Sequence, residues 1–345
     1  MGFKKLDLDD LVISTDSVSA TVWSNNAPSL QGYHTSSTQV SSNQGDFYYN
    51  VYQTASTDTT AAVQFSIAYC DVKGSGSAYY NSLVAGASPS RTNYGQYRTL
   101  VLGDENANFM FGTETGSYFY AINVERARYK EKLLPGTMTL HLNNGSNTIS
   151  ITDDSQIQTS TTFTDAGRVY NLISGSAGTI TSSPKESNGF TNGSGSYGMF
   201  LPDVGLILLS GPALDGNGGD GGIELATERN PNDATDENPE KLFNAVSSSG
   251  ASGNGFLLNS EETLASDFIF VRARNSEFNY SENPSFISGS TGAVLFSEFE
   301  NNPRTYITTV GLYNDNNELL AVAKLSRPLL KDFTKELLVR VKLDF

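Results

Sequence analysis

The chain closes on Leu337-Leu338-Val339-Arg340-Val341-Lys342-Leu343-Asp344-Phe345. Val339, Val341, Leu343 and Phe345 fall on one side and Arg340, Lys342 and Asp344 on the other, the period of two that belongs to a strand with one buried face. A strand carried to the last residue frays unless a sheet holds it, so Phe345 is expected to be packed.

The same period recurs upstream. Val63, Phe65, Ile67 and Tyr69 alternate with Ala62, Gln64, Ser66 and Ala68, and Tyr118, Tyr120, Ile122 and Val124 share a face. Thr137–Ile151 reads as a hairpin, TMTLHL and NTISIT around Asn143-Asn144-Gly145, because Asn-Gly tolerates the positive φ of a tight turn. Further strands are predicted at Arg168–Ile173, Gly198–Leu201, Gly205–Leu209 and Asp267–Arg274, and at Tyr306–Tyr313 with Leu319–Leu325. Helix signals are few. Asp236–Val246 predicts one short helix with Asn238 as cap and Pro239 in its first turn, Ser260–Ala265 a single turn, and Asp9–Ser14 is ambiguous. The fold class is therefore mainly β: antiparallel, sandwich-like sheets, few short helices and a long Gly/Asp-rich loop or extension. The pattern divides into an N-terminal β region (1–209), an acidic Gly/Asp/Asn-rich extension (210–255) and a C-terminal β region (256–345), with one continuous domain as the alternative.

Composition excludes several functions. Across 345 residues, 22 Lys+Arg stand against 37 Asp+Glu, a net charge of −15. That opposes nucleic-acid binding, which needs clustered cations to displace counterions, and polybasic attachment to anionic membranes. Cys70 is the sole cysteine, so neither a disulfide framework nor a Cys-rich metal site is expected. The opening MGFKKLDLDDLV has no apolar run behind its lysines and carries Leu6 where a myristoylation signal wants Ser or Thr. No stretch approaches the roughly 20 apolar residues of a membrane helix.

Catalytic patterns are equally thin. His34 and His141 lack neighbours at ligand spacing, Cys70 has no basic residue before Lys73, and no Gly-x-Ser-x-Gly elbow is present. Gly216-Asn217-Gly218-Gly219-Asp220-Gly221 matches the letters of a dinucleotide fingerprint, but Pro212 before it and Pro231 after it deny the strand–turn–helix setting. A flexible loop is the better reading. Calcium held by Asp215 and Asp220 is the alternative, short of ligands without help. Tyrosines cluster at Tyr48, Tyr49 and Tyr52, at Tyr79 and Tyr80, at Tyr94 and Tyr97, and at Tyr118 and Tyr120. They suit a half-buried sheet, a protein interface or a sugar-stacking platform. Arg126, Arg128, Lys130 and Lys132 alternate as if painting one strand face positive, either simply solvated or available to an acidic loop of another copy. No catalytic, cofactor-binding or metal-binding residue is assigned, and no cofactor is expected.

From Tyr306 the chain reads YITTVGLYNDNNELLAVAKL and then SRPLLKDFTKELLVRVKLDF. The first part resembles a hairpin of phage tail-fibre attachment and baseplate-associated proteins: Gly311-Leu312-Tyr313, a turn over Asn314–Asn317, and a strand over Leu319–Val322. With GDFYYNVYQ, AVQFSIAY, QYRTLVLGDENANFMFG, VERARYKEKLLPG, SYGMFLPDVGLILL and FVRARNSEFNYSENPSFISGSTG, the chain resembles virion structural proteins of large contractile-tailed phages, notably those infecting cyanobacteria. The resemblance implies a non-enzymatic virion protein of the tail or baseplate, assembled in the host cytoplasm. Its implied partners are other virion proteins and copies of itself, with no nucleic acid or membrane. Open alternatives are a neck or head decoration protein, a receptor- or glycan-binding adhesion module on a fibre, and, most remote, a hydrolase using carboxylates between Asp203 and Glu240.

Overall fold

Ile122 sits at the centre of the largest sheet, opposite Ile67 on one neighbouring strand and Ile207 on the other. Its strand, β6 (Tyr118–Val124), runs antiparallel between β3 (Val63–Asp71) and β14 (Leu206–Ser210). The computed structural model describes residues 3–35, 48–74, 90–181, 196–229 and 238–344. The expectations for Phe345, Tyr79 and Tyr80 lie outside them. Beyond β3 comes β2 (Tyr48–Tyr52). Beyond β14 come β13 (Gly198–Leu201), β11 (Gly167–Ser176), β9 (Thr148–Asp153) and β8 (Leu140–Asn143), while the short β10 (Thr162–Thr164) and β12 (Thr179–Ile180) pair with β11. The β8–β9 hairpin turns where Asn143-Asn144-Gly145 predicted: Gly145 has φ +76°, and the Asn144 N–H donates to the Asn147 carbonyl at 3.0 Å.

Because side chains alternate along each strand, the sheet has two cores. Phe65, Ile67, Tyr69, Tyr120, Ile122, Ile207 and Leu209 face one; Cys70, Phe119, Ala121, Leu206 and Leu208 face the other. A half-buried sheet would leave Phe119 and Leu208 in solvent, and both are instead fully buried. The second face is closed by α1 (Ser90–Leu102), through Tyr94 and Val101, and by Phe109 and Phe111 of the β4–β5 hairpin (Phe109–Phe111, Glu114–Gly116). The first is closed by Trp23, Leu30 and Phe256, by α2 (Gly211–Asp215), and by α3 (Asn238–Ala251) through Leu242, Ala245 and Val246. The molecule is thus mainly β with large antiparallel sheets and few short helices.

Several local expectations need correction. The 210–255 segment is not one free surface loop: it carries α2 and α3, and its Ala213, Leu214, Ile223 and Leu225 belong to the first core. Ser260–Ala265 is not helical. It opens β15 (Asn259–Ala273), where Ser260 pairs with Leu133 of β7 (Lys132–Leu133) and its hydroxyl donates to the Ala20 carbonyl at 3.1 Å. Sheet pairing here outweighs a weak cap signature. Leu8–Asp10 forms a 3-10 turn, after which the chain becomes β1 (Leu11–Thr21). The helix predicted over Asp236–Val246 is α3, which reaches Ala251. Asn238, fully buried, accepts from the Glu228 N–H at 2.9 Å and donates to the Glu228 carbonyl at 2.8 Å, tying the helix start to the preceding coil.

The chain forms two compact units, Val18–Glu262 and Met1–Ser17 with Thr263–Phe345. In the smaller one, β15 pairs antiparallel with β18 (Leu337–Asp344) from Ser266↔Asp344 to Ala273↔Leu337, and β1 lies along its other edge. The hairpin of β16 (Thr305–Tyr313) and β17 (Leu319–Lys331) forms a second layer. Its Val310, Leu312, Ala323, Leu325 and Leu329 pack on Ile269, Val339 and Val341. The alternation read in the last strand thus meets a real buried face.

Phe119 lies 4.8 Å from Phe109 and 5.2 Å from Tyr94, ring centroid to centroid. Phe119→Ala is expected to lower the stability of the larger unit by about 3–5 kcal/mol. Urea unfolding followed by the fluorescence of Trp23, the sole tryptophan and itself buried, reads this directly.

Candidate interaction surface

The residues that sequence reading weighed for chemistry are engaged in structural work. Cys70 is fully buried and burial pushes its thiol pKa upward, the reverse of an activated nucleophile. His141 faces Ser150 across the β8–β9 hairpin at 2.7 Å, and burial lowers its pKa. His34 makes an isolated bridge with Tyr52, its N–H donating to the Tyr52 carbonyl at 3.0 Å. Asp203 is held by Arg168, whose Nε and terminal nitrogen reach Oδ1 at 3.0 and 2.7 Å while its backbone N–H reaches Oδ2 at 2.7 Å. Burial opposes the Asp203 carboxylate, yet these bonds outweigh it and hold the pKa below the usual range.

Arg126, Arg128, Lys130 and Lys132 do not line one strand face. Arg126–Arg128 is a 3-10 turn and only Lys132 enters a strand. Arg126 donates to the Lys130 carbonyl and stacks 4.6 Å over Tyr129; Arg128 donates to Ser24 at 2.7 Å; Lys130 pairs with Glu262 at 2.7 Å and Lys132 with Glu261 at 3.6 Å. These cations are spent within the chain.

The most developed polar network lies where the acidic segment meets the sheet. Arg229 grips Asp71 with two bonds of 2.9 Å and stacks 4.0 Å above Tyr118. Tyr69 donates to Asp71 at 2.8 Å and Tyr118 to Asp215 at 2.8 Å. The other oxygen of Asp215 accepts from the Thr227 N–H and hydroxyl at 2.9 and 2.7 Å, and the Thr227 hydroxyl also meets that of Tyr120 at 2.7 Å. Burial, then the Asp71 charge, raises the pKa of Tyr69; burial, then Asp215, raises that of Tyr118. These tyrosines therefore stay protonated donors. The network pins residues 215–229 down, and both Asp215 oxygens accept hydrogen bonds within it. Among the described residues, no group of three or more His, Cys, Asp or Glu side chains is placed to hold a metal ion. The glycine run is clamped as well: Tyr197 donates to the Gly221 carbonyl at 2.6 Å, and Asn144 to those of Ile223 and Glu224 at 3.1 and 2.9 Å. Asp71 and Arg229 stand 158 positions apart, and no local motif marks the pair.

The tyrosine clusters belong mostly to the core. Tyr49, Tyr69, Tyr94, Tyr118 and Tyr120 are buried, whereas Tyr48, Tyr280, Tyr306 and Tyr313 are exposed. Three of those four lie in the smaller unit, whose surface differs in kind. Along its part of β1, Leu11, Val12 and Ile13 are exposed, preceded by Leu8 at 92%. On the β16–β17 hairpin, Tyr306, Tyr313, Leu319, Leu320 and Val322 are exposed, Leu320 at 69%. Phe286, Val294, Leu295 and Phe296 add to the set. Single exposed apolar residues are ordinary; runs along strands mark contact surfaces. Set against protein-family models, curated proteins and solved structures, the chain matches none. Among the described residues, no helix is long and apolar enough to cross a membrane.

Two outcomes test the structural roles. Arg229→Ala leaves the buried Asp71 carboxylate without its cation, and a loss of about 3 kcal/mol in unfolding free energy is expected, partly recovered in Asp71→Asn/Arg229→Ala. Asp153 is fully buried, and its Oδ1 has no hydrogen-bond partner while Oδ2 accepts from the Gly136 N–H at 2.8 Å. Burial raises its pKa above the unfolded value, so the folded chain binds that proton more tightly. The stability this adds is fully present below the unfolded pKa and lost as pH rises through the folded one. Asp153→Asn is expected to raise Tm at pH 7 and to converge with the parent as pH falls toward about 4, read by scanning fluorimetry across pH.

Proposed function

We propose that this chain is a non-enzymatic structural subunit of a tailed-phage particle, built into the tail or baseplate through the β surfaces of its smaller unit. One observation carries the reading. Among the described residues, the hydrophobic cluster between the two sheet layers of that unit has Ile269, Val339 and Val341 as its buried members, each still slightly exposed, while many Leu, Val, Ile, Tyr and Phe side chains of the unit remain exposed. A domain gains stability largely by burying such side chains, each contributing about 1.5–3 kcal/mol when fully covered. This unit leaves much of that gain to be realised on a neighbour, as obligate assembly interfaces do. The larger unit, by contrast, has two well-filled cores of its own. The resemblance of the hairpin Gly311–Val322 and of stretches across the chain to virion proteins of contractile-tailed phages supports the setting.

The adhesion reading rested on tyrosine clusters as a sugar platform, and most of those described are core residues. The hydrolase reading rested on carboxylates between Asp203 and Glu240, of which Asp203 and Asp215 are saturated by Arg168, Tyr118 and Thr227. Neither supplies an observation that favours it.

Quantitative mass spectrometry of gradient-purified particles is expected to find the chain at a fixed copy number per particle, with its density in the tail or baseplate of a reconstructed virion. Its absence from purified particles would defeat the proposal.

A further inference from the structure

We infer that Asn144 is a site of spontaneous covalent modification: ring closure onto Gly145 converts it to aspartate or isoaspartate and thereby loosens the 222–225 stretch from the β8–β9 hairpin. The inference concerns the larger unit alone and does not depend on the assembly reading above.

The chemistry is intramolecular apart from water. The Gly145 backbone nitrogen, having given its proton to solvent base, attacks Asn144 Cγ. Nδ2 takes up a proton and leaves as ammonia, and water then opens the succinimide at one carbonyl or the other, with nothing oxidised or reduced. The step needs a following residue without a Cβ to obstruct the ring and a backbone with room to reshape. Among the described residues, Asn-Gly pairs occur at 144–145, 217–218 and 254–255. The first is open. Asn144 and Gly145 are exposed, nothing lies within 4 Å of the place a Gly145 Cβ would take, and the Gly145 N–H donates to no group among the described residues. The other two are crowded. At Gly218 that place is filled by the Asn147 side chain, and at Gly255, itself buried, it lies 2.7 Å from the Leu30 carbonyl oxygen.

The Asn144 amide is also a fastener, since its Nδ2 donates to the Ile223 and Glu224 carbonyls at 3.1 and 2.9 Å. Either product carries a carboxylate instead, which has no hydrogen to give and sets a negative charge against two carbonyl oxygens. The stretch it holds is conformationally strained: Glu224 and Ala226 both adopt φ +56°, a left-handed backbone that non-glycine residues avoid. Anchors on either side are untouched by the reaction, with Tyr197 on the Gly221 carbonyl, Lys241 on that of Ala226 and Asp215 on the Thr227 N–H. The loosening is therefore confined between them. There the N–H groups of Gly222, Ile223, Glu224 and Leu225 donate to the carbonyls of Asn217, Leu214, Gly216 and Leu214, four bonds whose opening hydrogen exchange reads directly.

Ageing the full chain in mildly alkaline buffer, followed by peptide mapping with mass spectrometry, tests the reaction. Asn144 is expected to exchange its amide for a carboxyl, as aspartate and isoaspartate, several-fold faster than Asn217 or Asn254, and Gly145→Ala to slow that conversion several-fold. Hydrogen exchange tests the consequence. Asn144→Asp should speed exchange of the 222–225 amides roughly tenfold while leaving those of β14 at the parent rate. Should that variant fold poorly, the modified fraction of the aged parent, separated by ion exchange, gives the same reading. Conversion at Asn144 no faster than at the other two asparagines, unchanged exchange at 222–225, or a rise spread equally over the sheet would each overturn the inference.

Discussion

The burial of both faces of β6 and β14 is the constraint from which the larger unit follows. A strand with Tyr120 and Ile122 on one side and Phe119 and Ala121 on the other cannot face water on either, so the chain must supply two covers for one sheet. It does so with short helices and coil from distant parts of the sequence: α1 with the β4–β5 hairpin on one face, α2, α3 and the Gly/Asp-rich segment on the other. The covers are discontinuous, which explains why a fold dominated by antiparallel pairing carries helices at all.

Fastening coil to a sheet poses a second problem, because coil exposes backbone groups that must find partners. The Asn144 bonds to the Ile223 and Glu224 carbonyls, the Tyr197 bond to the Gly221 carbonyl and the Thr227 N–H bond to Asp215 meet that need, and the Asp71–Arg229 and Tyr118–Asp215 side-chain bonds add anchors to the sheet. A buried ion pair contributes little net stability against an apolar alternative, but it admits few geometries. Here it selects where an acidic, glycine-rich segment comes to rest. Asp215, which in sequence suggested calcium, and the Gly221 carbonyl of the glycine run are among the groups that hold this segment in place.

The smaller unit reverses the balance. Its two thin layers share a small core, and Leu11, Ile13, Tyr313, Leu320 and Val322 are exposed on its strands. In an isolated monomer that arrangement forgoes much of the hydrophobic gain available to a domain of its size. In an assembly the same surfaces supply adhesion without any specialised site, which is the physical basis of the functional proposal.

Strand alternation was legible from residues alone, since period two is a local property: Phe65–Tyr69, Tyr118–Val124, the Asn-Gly hairpin and Val339–Leu343 all stand where their patterns placed them. So was the helix after Asn238-Pro239, because capping and proline act within one turn. Not legible were α1, whose polar run around Gly95 carries no clear apolar stripe and which is held by Tyr94 and Val101 packing against the sheet, and the strand at Ser260, where partners 127 and 240 positions away in Leu133 and Ala20 overrule a local cap. Whether a tyrosine or a carboxylate is buried, paired or presented depends on which distant segment covers it. Alternation says that a strand has two faces; long-range packing alone settles which of them is covered, as Ala323 and Leu325 of β17 are by the cluster of Ile269, Val339 and Val341.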